Sequence, residues 1–265
     1  MKIVTDASEL FQGCAFVPTM GALHSGHQSL FTLARRYSDR VLVSIFVNPL
    51  QFENPEDLAK YPRTPERDIE MAQAAGVTDL WFPKHEELYP EGFTKVSAGP
   101  LGNLFEGASR PGHFDGVTTV VTRLFELAQP KWAIFGEKDF QQLTLIRNLQ
   151  LPVEIIAAPT IREDDGLALS SRNVRLDKDG RKAATVISRA LFAASTETNL
   201  EAAQSQLDAI LATEPAFTVD YAQIIDERDF SPATSKTPHA RAIIAGWING
   251  IRLIDNMPMK FGAGL

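Results

Sequence analysis

Cysteine is nearly absent from this sequence of 265 residues, since Cys14 is the only one. A single cysteine excludes an internal disulfide and fits a reducing compartment. Long apolar runs are also missing, so neither a signal peptide nor a membrane-spanning segment is predicted. We therefore expect a cytoplasmic protein without a membrane partner.

Positive charge is scarce. The chain has 26 Lys and Arg against 33 Asp and Glu, which gives a net charge of −7. No stretch is basic enough to form a footprint for a long polyanion, so no nucleic-acid partner is expected. An anionic ligand would have to be bound locally, by a few lysines, arginines and backbone N–H groups.

Several familiar catalytic signatures are missing as well. The sequence contains no Ser-His-Asp order, no CxxC pair, no Walker-type glycine-rich loop and no zinc-type ligand cluster. No set of protein ligands for a metal is therefore predicted. The composition, 44% hydrophobic and 22% charged, is that of a globular protein with a large core, and the length favours two domains.

Short apolar runs alternate with helical patterns through the first 160 residues. The predicted strands cover residues 15–17, 41–47, 78–83, 131–135 and 153–157, and the predicted helices cover 28–37, 65–75, 116–128 and 139–149. This alternation is typical of a Rossmann-like α/β domain with a parallel sheet, here residues 1–160. Residues 161–265 read as a smaller α+β domain, with a long helical stretch at 181–211 and strands at 220–225, 241–247 and 251–254.

The segment that joins the first of these strands to the first helix has the sequence PTMGALHSGH. A helix N-terminus presents unpaired N–H groups and the positive end of the helix dipole, which suits a phosphate. Gly21 and Gly26 would let the backbone approach a ligand closely. His24 and His27 are three residues apart, so both imidazoles would lie on one side of the first turn. A solvated surface pair or a metal site are alternatives for two such histidines.

Further polar residues follow other predicted strands. Asn48 and Gln51 come after one strand, and Gly136 and Lys138 after another. Ligands of parallel sheets bind outside the carboxyl ends of the strands, so a shared site is expected there. Taken singly, these segments also fit an Asn-Pro turn and a helix cap.

A serine-rich segment follows in the second domain. Ser170, Ser171 and Arg172 stand together in a short loop, where two hydroxyls and a guanidinium can clamp a polyphosphate. A helix N-cap is the alternative for the two serines.

Seven segments together resemble the pantoate–β-alanine ligases, a family of the nucleotidyltransferase superfamily. They are VPTMGALHSGH at 17–27, SIFVNPLQF at 44–52, YPRT at 61–64, EGASRPGHFDGV at 106–117, FGEKDFQQL at 135–143, IREDDGLALSSRN at 161–173 and RLIDN at 252–256. The resemblance implies ATP-dependent condensation of pantoate with β-alanine, through a pantoyl adenylate, with release of AMP and pyrophosphate. It also implies Mg²⁺ and a homodimer.

The resemblance implies roles for particular residues. Catalysis would fall to His24, His27, Lys138 and Arg172, with His27 in the position of a proton donor. Asn48, Gln51 and Gln142 would bind pantoate, and Gln51 would also bind β-alanine. The ATP site would comprise Met20, Gly21, Ala22, Leu23, His24, Ser25, Gly26, His27, Gly136, Glu137, Lys138, Asp139, Ile161, Leu169, Ser170, Ser171 and Arg172.

Two other functions compete with this one. A related nucleotidyltransferase could use a different acceptor, and Asn48, Gln51 and Gln142 argue against it because they suit a small hydroxy acid. A non-catalytic nucleotide-binding protein could keep the fold, but a degraded site would have lost some of His24, His27, Lys138 and Arg172.

Overall fold

The structure, a computed structural model, describes residues 1–261 of the chain. The chain divides into two compact units, Met1–Pro159 and Thr160–Leu265. Each unit has its own sheet and its own apolar core.

The first unit is built on a six-stranded parallel sheet in the order β1-β4-β3-β2-β5-β6. Its strands are β1 (Lys2–Val4), β2 (Ala15–Thr19), β3 (Val41–Ile45), β4 (Asp79–Trp81), β5 (Trp132–Gly136) and β6 (Glu154–Ala158). The central strands β2, β3 and β5 are apolar and mostly buried, as expected for a parallel sheet that helices cover on both faces.

β2 lies at the point where the strand order reverses. It pairs with β3 on one side and with β5 on the other, and the chain places its later strands outward from each. The loops that follow these three strands therefore emerge side by side at one edge of the sheet. Such a switch point is where open α/β sheets bind their ligands.

Seven helices accompany this sheet among the described residues. They are α1 (Ser25–Ala34), α2 (Pro55–Lys60), α3 (Pro65–Ala74), α4 (His85–Leu88), α5 (Glu106–Ser109), α6 (His113–Ala128) and α7 (Phe140–Asn148). The core between helices and sheet includes Val17, Phe31, Val43, Leu80 and Ile134, each at most 1% exposed.

Several predicted boundaries differ in this unit; the helix predicted from Gly116, for example, begins at His113. The helix predicted at 28–37 begins earlier, at Ser25, because His24 caps it. The strand predicted at 41–47 ends at Ile45, and the helix predicted from residue 139 begins at Phe140, after a short 3₁₀ turn over Glu137–Asp139. The edge strand β1 was not predicted at all, since three residues give too short a pattern.

The second unit contains α8 (Lys178–Ser195), α9 (Leu200–Leu211) and an antiparallel sheet of β7 (Thr218–Asp226), β8 (Ala240–Ile248) and β9 (Ile251–Met259). The long helical stretch predicted at 181–211 forms two helices. The chain breaks between Ser195 and Leu200, where the side chain of Asn199 accepts the N–H of Ala202 at 2.9 Å and so caps α9.

The observed arrangement confirms the predicted fold class, a Rossmann-like parallel sheet followed by a smaller α+β part. Over the described residues, no helix combines the length and the apolar character that crossing a membrane requires.

Candidate active site

The turn between β2 and α1 has an unusual backbone. Gly21 and Ala22 both have positive φ angles, 80° and 50°. A Cβ atom on Gly21 would lie 2.9 Å from Oδ2 of Asp68 and 3.1 Å from Cγ2 of Ile45. Glycine is therefore required there both for the backbone conformation and for the close approach of its neighbours.

Asp68 of α3 holds this turn in place. Its carboxylate accepts the N–H groups of Ala22 at 3.0 Å and of Leu23 at 2.8 Å, and it also accepts the hydroxyl of Thr64 at 3.0 Å. Asp68 is 1% exposed, so these three donors balance a buried negative charge. The geometry of the turn thus depends on a residue more than 40 positions along the chain.

His24 and His27 cap the N-terminus of α1 with their side chains. Nδ1 of His24 accepts the N–H of Gly26 at 3.1 Å, and Nδ1 of His27 accepts the N–H of His24 at 3.2 Å. A neutral imidazole that accepts at Nδ1 carries its proton at Nε2. The backbone therefore fixes both histidines as Nε2–H donors, with ring centroids 4.1 Å apart.

The surroundings keep both imidazoles uncharged. The pKa of His27 is lowered to about 3, first by burial and then by the neighbouring His24, while Asp139 opposes the shift. The pKa of His24 is also lowered, first by burial and then by the positive charge of Lys138. Two neutral N–H donors are therefore present at neutral pH without any repulsion between imidazolium ions.

The charges that affect the pKa of His24 belong to the turn after β5, which therefore lies near the histidine pair. Lys138 and Asp139 both act on His24, so the 3₁₀ turn over Glu137–Asp139 lies beside the histidine pair. Asp139 stands at the N-cap position of α7, yet its side chain makes no capping hydrogen bond. Its exposed carboxylate and the Lys138 ammonium frame the site with one charge of each sign.

The loop after β3 carries a buried amide pair. Nδ2 of Asn48 donates to Oε1 of Gln51 at 3.1 Å and to the carbonyl of Gly116 at 3.0 Å. Oδ1 of Asn48 accepts the N–H of Leu50 at 3.2 Å and the hydroxyl of Tyr89 at 2.7 Å. The side chain of Asn48 thus uses both donors and both lone pairs within the protein.

Gln51 links this loop to the turn after β2. Its Nε2 donates to Sδ of Met20 at 2.9 Å. Its backbone carbonyl accepts a hydrogen bond from the guanidinium of Arg110 at 3.2 Å and lies 2.9 Å from Nδ1 of His113. Gly116 of α6 lets the helix pack directly on this loop, because a Cβ atom there would lie 2.3 Å from the carbonyl oxygen of Leu50.

Gln142 lies in the first turns of α7 and is half-buried. Its neighbour Gln141 is structural: it donates to the carbonyls of Leu101 and Leu104, both at 2.9 Å, and accepts the N–H of Glu106.

Direct contacts or charge join most of the predicted residues of the first unit at the sheet edge. They are Met20–His27, Asn48, Gln51 and 136–139.

The remaining predicted residues lie in the second unit. Ile161 and Leu169 pair across a tight hairpin, where the N–H of Leu169 donates to the carbonyl of Ile161 at 2.9 Å. Ser170, Ser171 and Arg172 follow directly, and Oγ of Ser170 accepts the N–H of Arg172 at 3.2 Å. The guanidinium of Arg172 is exposed.

An ion pair fixes this hairpin within its own unit. Arg162 contacts the Asp255 carboxylate of β9 with two nitrogens, at 2.6 and 3.0 Å, and donates to the carbonyl of Gly166 at 3.1 Å. The side chain of Asp255 is 2% exposed. Two of the segments that carry the family resemblance thus meet in a structural pair.

No sequence pattern indicated the roles of Asp68 and Tyr89 or the packing role of Gly116. Asp68 lies in the first turn of a helix, where an acidic residue is expected for the helix dipole alone. Tyr89 carries no pattern of its own. Gly116 was predicted as the first residue of its helix, and only the observed start at His113 places it inside the helix.

No group of three or more His, Cys, Asp or Glu side chains suited to a metal occurs in residues 1–261. A magnesium ion keeps most of its water and binds through one or two carboxylates together with substrate phosphates. Asp139 beside the histidine pair fits that kind of site, whereas a cage made only of protein ligands does not fit.

The profile of the Pantoate-beta-alanine ligase family matches residues 2–258 of the chain. The chain belongs to this family. It is 49% identical to the pantothenate synthetase of Acidothermus cellulolyticus, over 93% of this chain and 85% of that protein. It is 48% identical to the pantothenate synthetase of Thermus thermophilus, over 97% of this chain and 99% of that protein.

Solved structures of the family agree with these relationships. The crystal structure of the Thermus thermophilus pantothenate synthetase superposes with a TM-score of 0.91 at 47% identity, over 97% of this chain and 99% of that one. The pantoate–β-alanine ligase of Francisella tularensis, complexed with beta-gamma ATP and β-alanine, gives a TM-score of 0.78 at 34% identity, over 97% of each chain. The predicted family and the predicted ligase function are confirmed.

Proposed function

We propose that this ligase works in two steps at the sheet edge of its first unit. A pantoate carboxylate oxygen attacks the α-phosphorus of ATP, pyrophosphate leaves, and pantoyl adenylate forms. The free amine of β-alanine then attacks the acyl carbon, AMP leaves, and the amine gives up a proton. A carboxylate alone has no adequate leaving group, and AMP supplies one.

The observation that carries this proposal is the neutral histidine pair at the switch point. His24 and His27 offer two Nε2–H groups at the start of a helix, beside Lys138. The first step brings two anions together, so catalysis depends on positioning and on donors aimed at developing charge. We assign phosphate contacts to both histidines and to Lys138.

The protonation of His27 bears on its role. A proton donor must hold a proton that it can release, and a neutral imidazole with a pKa of about 3 releases none at neutral pH. We therefore propose that His27 acts in the first step as a hydrogen-bond donor to phosphate.

We assign the backbone from Met20 to His27 and the turn of Gly136 to Asp139 to the ATP site, with Asp139 at the ribose. Ile161 and residues 169–172 of the second unit contact the nucleotide in the same proposal, and Arg172 neutralises charge on the phosphates.

We assign the acid-binding role to Gln51, with Gln142 as a second contact and Asn48 behind Gln51. Asn48 spends all of its hydrogen-bonding groups inside the protein, whereas Gln51 donates to a thioether, which is a weak acceptor. An oxygen of pantoate can replace that sulfur with a gain in hydrogen-bond strength.

We propose that Mg²⁺ arrives with ATP and is held by its phosphates. When bound, the ion would neutralise phosphate charge and favour loss of pyrophosphate. We also propose that the protein acts in the cytoplasm as a homodimer. The single cysteine fits a reducing compartment, and the family resemblance supports the dimer.

A pyrophosphate-release assay with ATP, Mg²⁺ and pantoate, with and without β-alanine, tests the reaction. We expect sustained release only with both substrates, and AMP and pantothenate as products by mass spectrometry. Release without pantoate, or only with another acid, would assign the protein to a related nucleotidyltransferase reaction.

A further inference from the structure

We propose that Tyr89 is a positioning residue for pantoate: its hydroxyl holds Asn48, and Asn48 orients the amide of Gln51 toward the acid. This inference rests on the proposed role of Gln51. Tyr89 lies at the end of α4, 41 positions from Asn48, and is 6% exposed.

The direction of each hydrogen bond in this chain of groups is fixed. Oδ1 of Asn48 faces two donors, the N–H of Leu50 and the hydroxyl of Tyr89. Nδ2 faces two acceptors, Oε1 of Gln51 and the carbonyl of Gly116. An exchange of the amide oxygen and nitrogen would set donor against donor and acceptor against acceptor, so Asn48 has one orientation.

The orientation of Asn48 then decides that of Gln51. Because Asn48 donates to Oε1 of Gln51, the nitrogen of that amide points the other way, toward Met20. Gln51 therefore presents N–H groups to its ligand, and the group that it recognises must be an acceptor. The carboxylate and hydroxyl oxygens of pantoate are acceptors.

The surroundings of Tyr89 suit this task. Its ring packs against Phe93, His85 and Phe46, with centroid distances of 4.8, 5.2 and 6.2 Å, so it cannot move away from Asn48 freely. Burial raises the pKa of the hydroxyl, which therefore stays protonated as a donor. Phenylalanine would keep the ring contacts and remove only the hydroxyl.

The test compares steady-state kinetics of Tyr89→Phe with those of Gln51→Ala and of a control, Tyr37→Phe. Tyr37 is 37% exposed and lies beyond α1, so its variant also loses one tyrosine hydroxyl but leaves the amide pair intact. We expect Tyr89→Phe to raise the KM for pantoate about fivefold, the factor that one hydrogen bond of ordinary strength accounts for. The KM for ATP should change less than twofold.

The double variant Tyr89→Phe/Gln51→Ala separates positioning from a general loss of structure. If Tyr89 acts through Gln51, the double variant should bind pantoate no more weakly than Gln51→Ala alone. Additive losses, equal increases in the KM values for pantoate and ATP, or no change in Tyr89→Phe would each overturn the proposal. Calorimetric titration with pantoate, well below the melting temperature, gives the same comparison if a variant is less stable.

The unmodified protein and Gln51→Ala distinguish a failure of the proposed function from a failure of the positioning role of Tyr89. If the unmodified protein shows no pantoate-dependent turnover, the proposed function fails. If Gln51→Ala leaves pantoate binding unchanged, the role of Gln51 fails and the role of Tyr89 with it. If Gln51→Ala weakens pantoate binding and Tyr89→Phe does not, only the positioning role is wrong.

Discussion

His27 uses its two ring nitrogens for two purposes. Nδ1 accepts a backbone N–H and so helps to begin α1, while Nε2 carries the proton that we assign to phosphate binding. A glutamine at this third position of a helix can also accept the N–H of the capping residue. The structural purpose can therefore be kept while the imidazole is removed.

We expect His27→Gln to keep most of the stability of the protein and to reduce adenylate formation by orders of magnitude. His27→Ala should lose about 1 kcal/mol of stability in addition, because the N–H of His24 loses its acceptor. Urea unfolding and a pantoate-dependent pyrophosphate assay measure the two quantities. Near-normal turnover in His27→Gln would remove His27 from the chemistry.

The low pKa of His27 also predicts a pH dependence of stability. The unfolded chain takes up a proton at this residue near pH 6.5, while the folded protein resists it down to about pH 3. As the pH falls through this window the unfolded state binds more protons, so stability is lost. Urea midpoints at pH 7 and pH 5 should therefore differ more in the unmodified protein than in His27→Gln; equal differences would contradict the shift.

Contacts between individual side chains could be predicted from the sequence where the two residues are close along the chain. The histidine pair was predictable because both members belong to one turn. Asp68 and Tyr89 were not, because their partners are 41 to 46 positions away and only the packing of α3 and α4 brings them together. His113 lies against the backbone carbonyl of Gln51, at 2.9 Å.

Among the secondary-structure elements, α6 packs against the loop after β3 only because Gly116 has no side chain. Replacing a helical glycine by alanine normally stabilises a protein by up to about 1 kcal/mol. At Gly116 the sign should reverse, because the new Cβ would lie 2.3 Å from the carbonyl oxygen of Leu50. The helix would have to shift away from the loop that carries Asn48 and Gln51.

We expect Gly116→Ala to lower the free energy of unfolding by about 1–3 kcal/mol and to raise the KM for pantoate. Gly136→Ala is the matched control for stability. Its φ is negative and its Cβ would meet no atom within 4 Å, so its unfolding should be nearly unchanged. Equal stability of both variants would show that α6 tolerates a side chain there.

Element type was predictable from periodicity, but element ends were decided by particular side chains. Asn199 starts a new helix within an alanine-rich stretch that the sequence presents as continuous. His24 starts α1 three residues before the predicted helix, since histidine is not among the usual capping residues.

Over the whole molecule, each of the two units has a core of its own, and a buried ion pair stabilises the second unit. Arg162 binds Asp255 with both terminal nitrogens, and side-chain exposures are 16% and 2%. Removing one partner of such a pair leaves a buried charge without compensation, at a cost of about 3–5 kcal/mol.

We expect Arg162→Ala to lose stability of that order. Lys60→Ala should lose less than about 0.5 kcal/mol, because its pair with Glu56 is exposed. Guanidinium unfolding followed by circular dichroism measures both. A loss below 1 kcal/mol in Arg162→Ala would mean that water or another residue compensates Asp255.

The parallel sheet and the meeting of loops at its carboxyl edge followed from the alternation of strands and helices. The order of the strands did not follow, since it depends on long-range pairing such as that of β1 with β4. The sequence likewise offered no sign that Asp255 in the motif RLIDN serves the hairpin that precedes Ser170.

The contact between Met20 and Gln51 has a thermodynamic consequence. An acid that takes the amide of Gln51 displaces the sulfur of Met20 and so releases one side chain of the nucleotide loop. If that release changes the affinity for ATP by some factor, then ATP must change the affinity for pantoate by the same factor. On the proposed assignments, one thioether would then link the binding equilibria of ATP and pantoate.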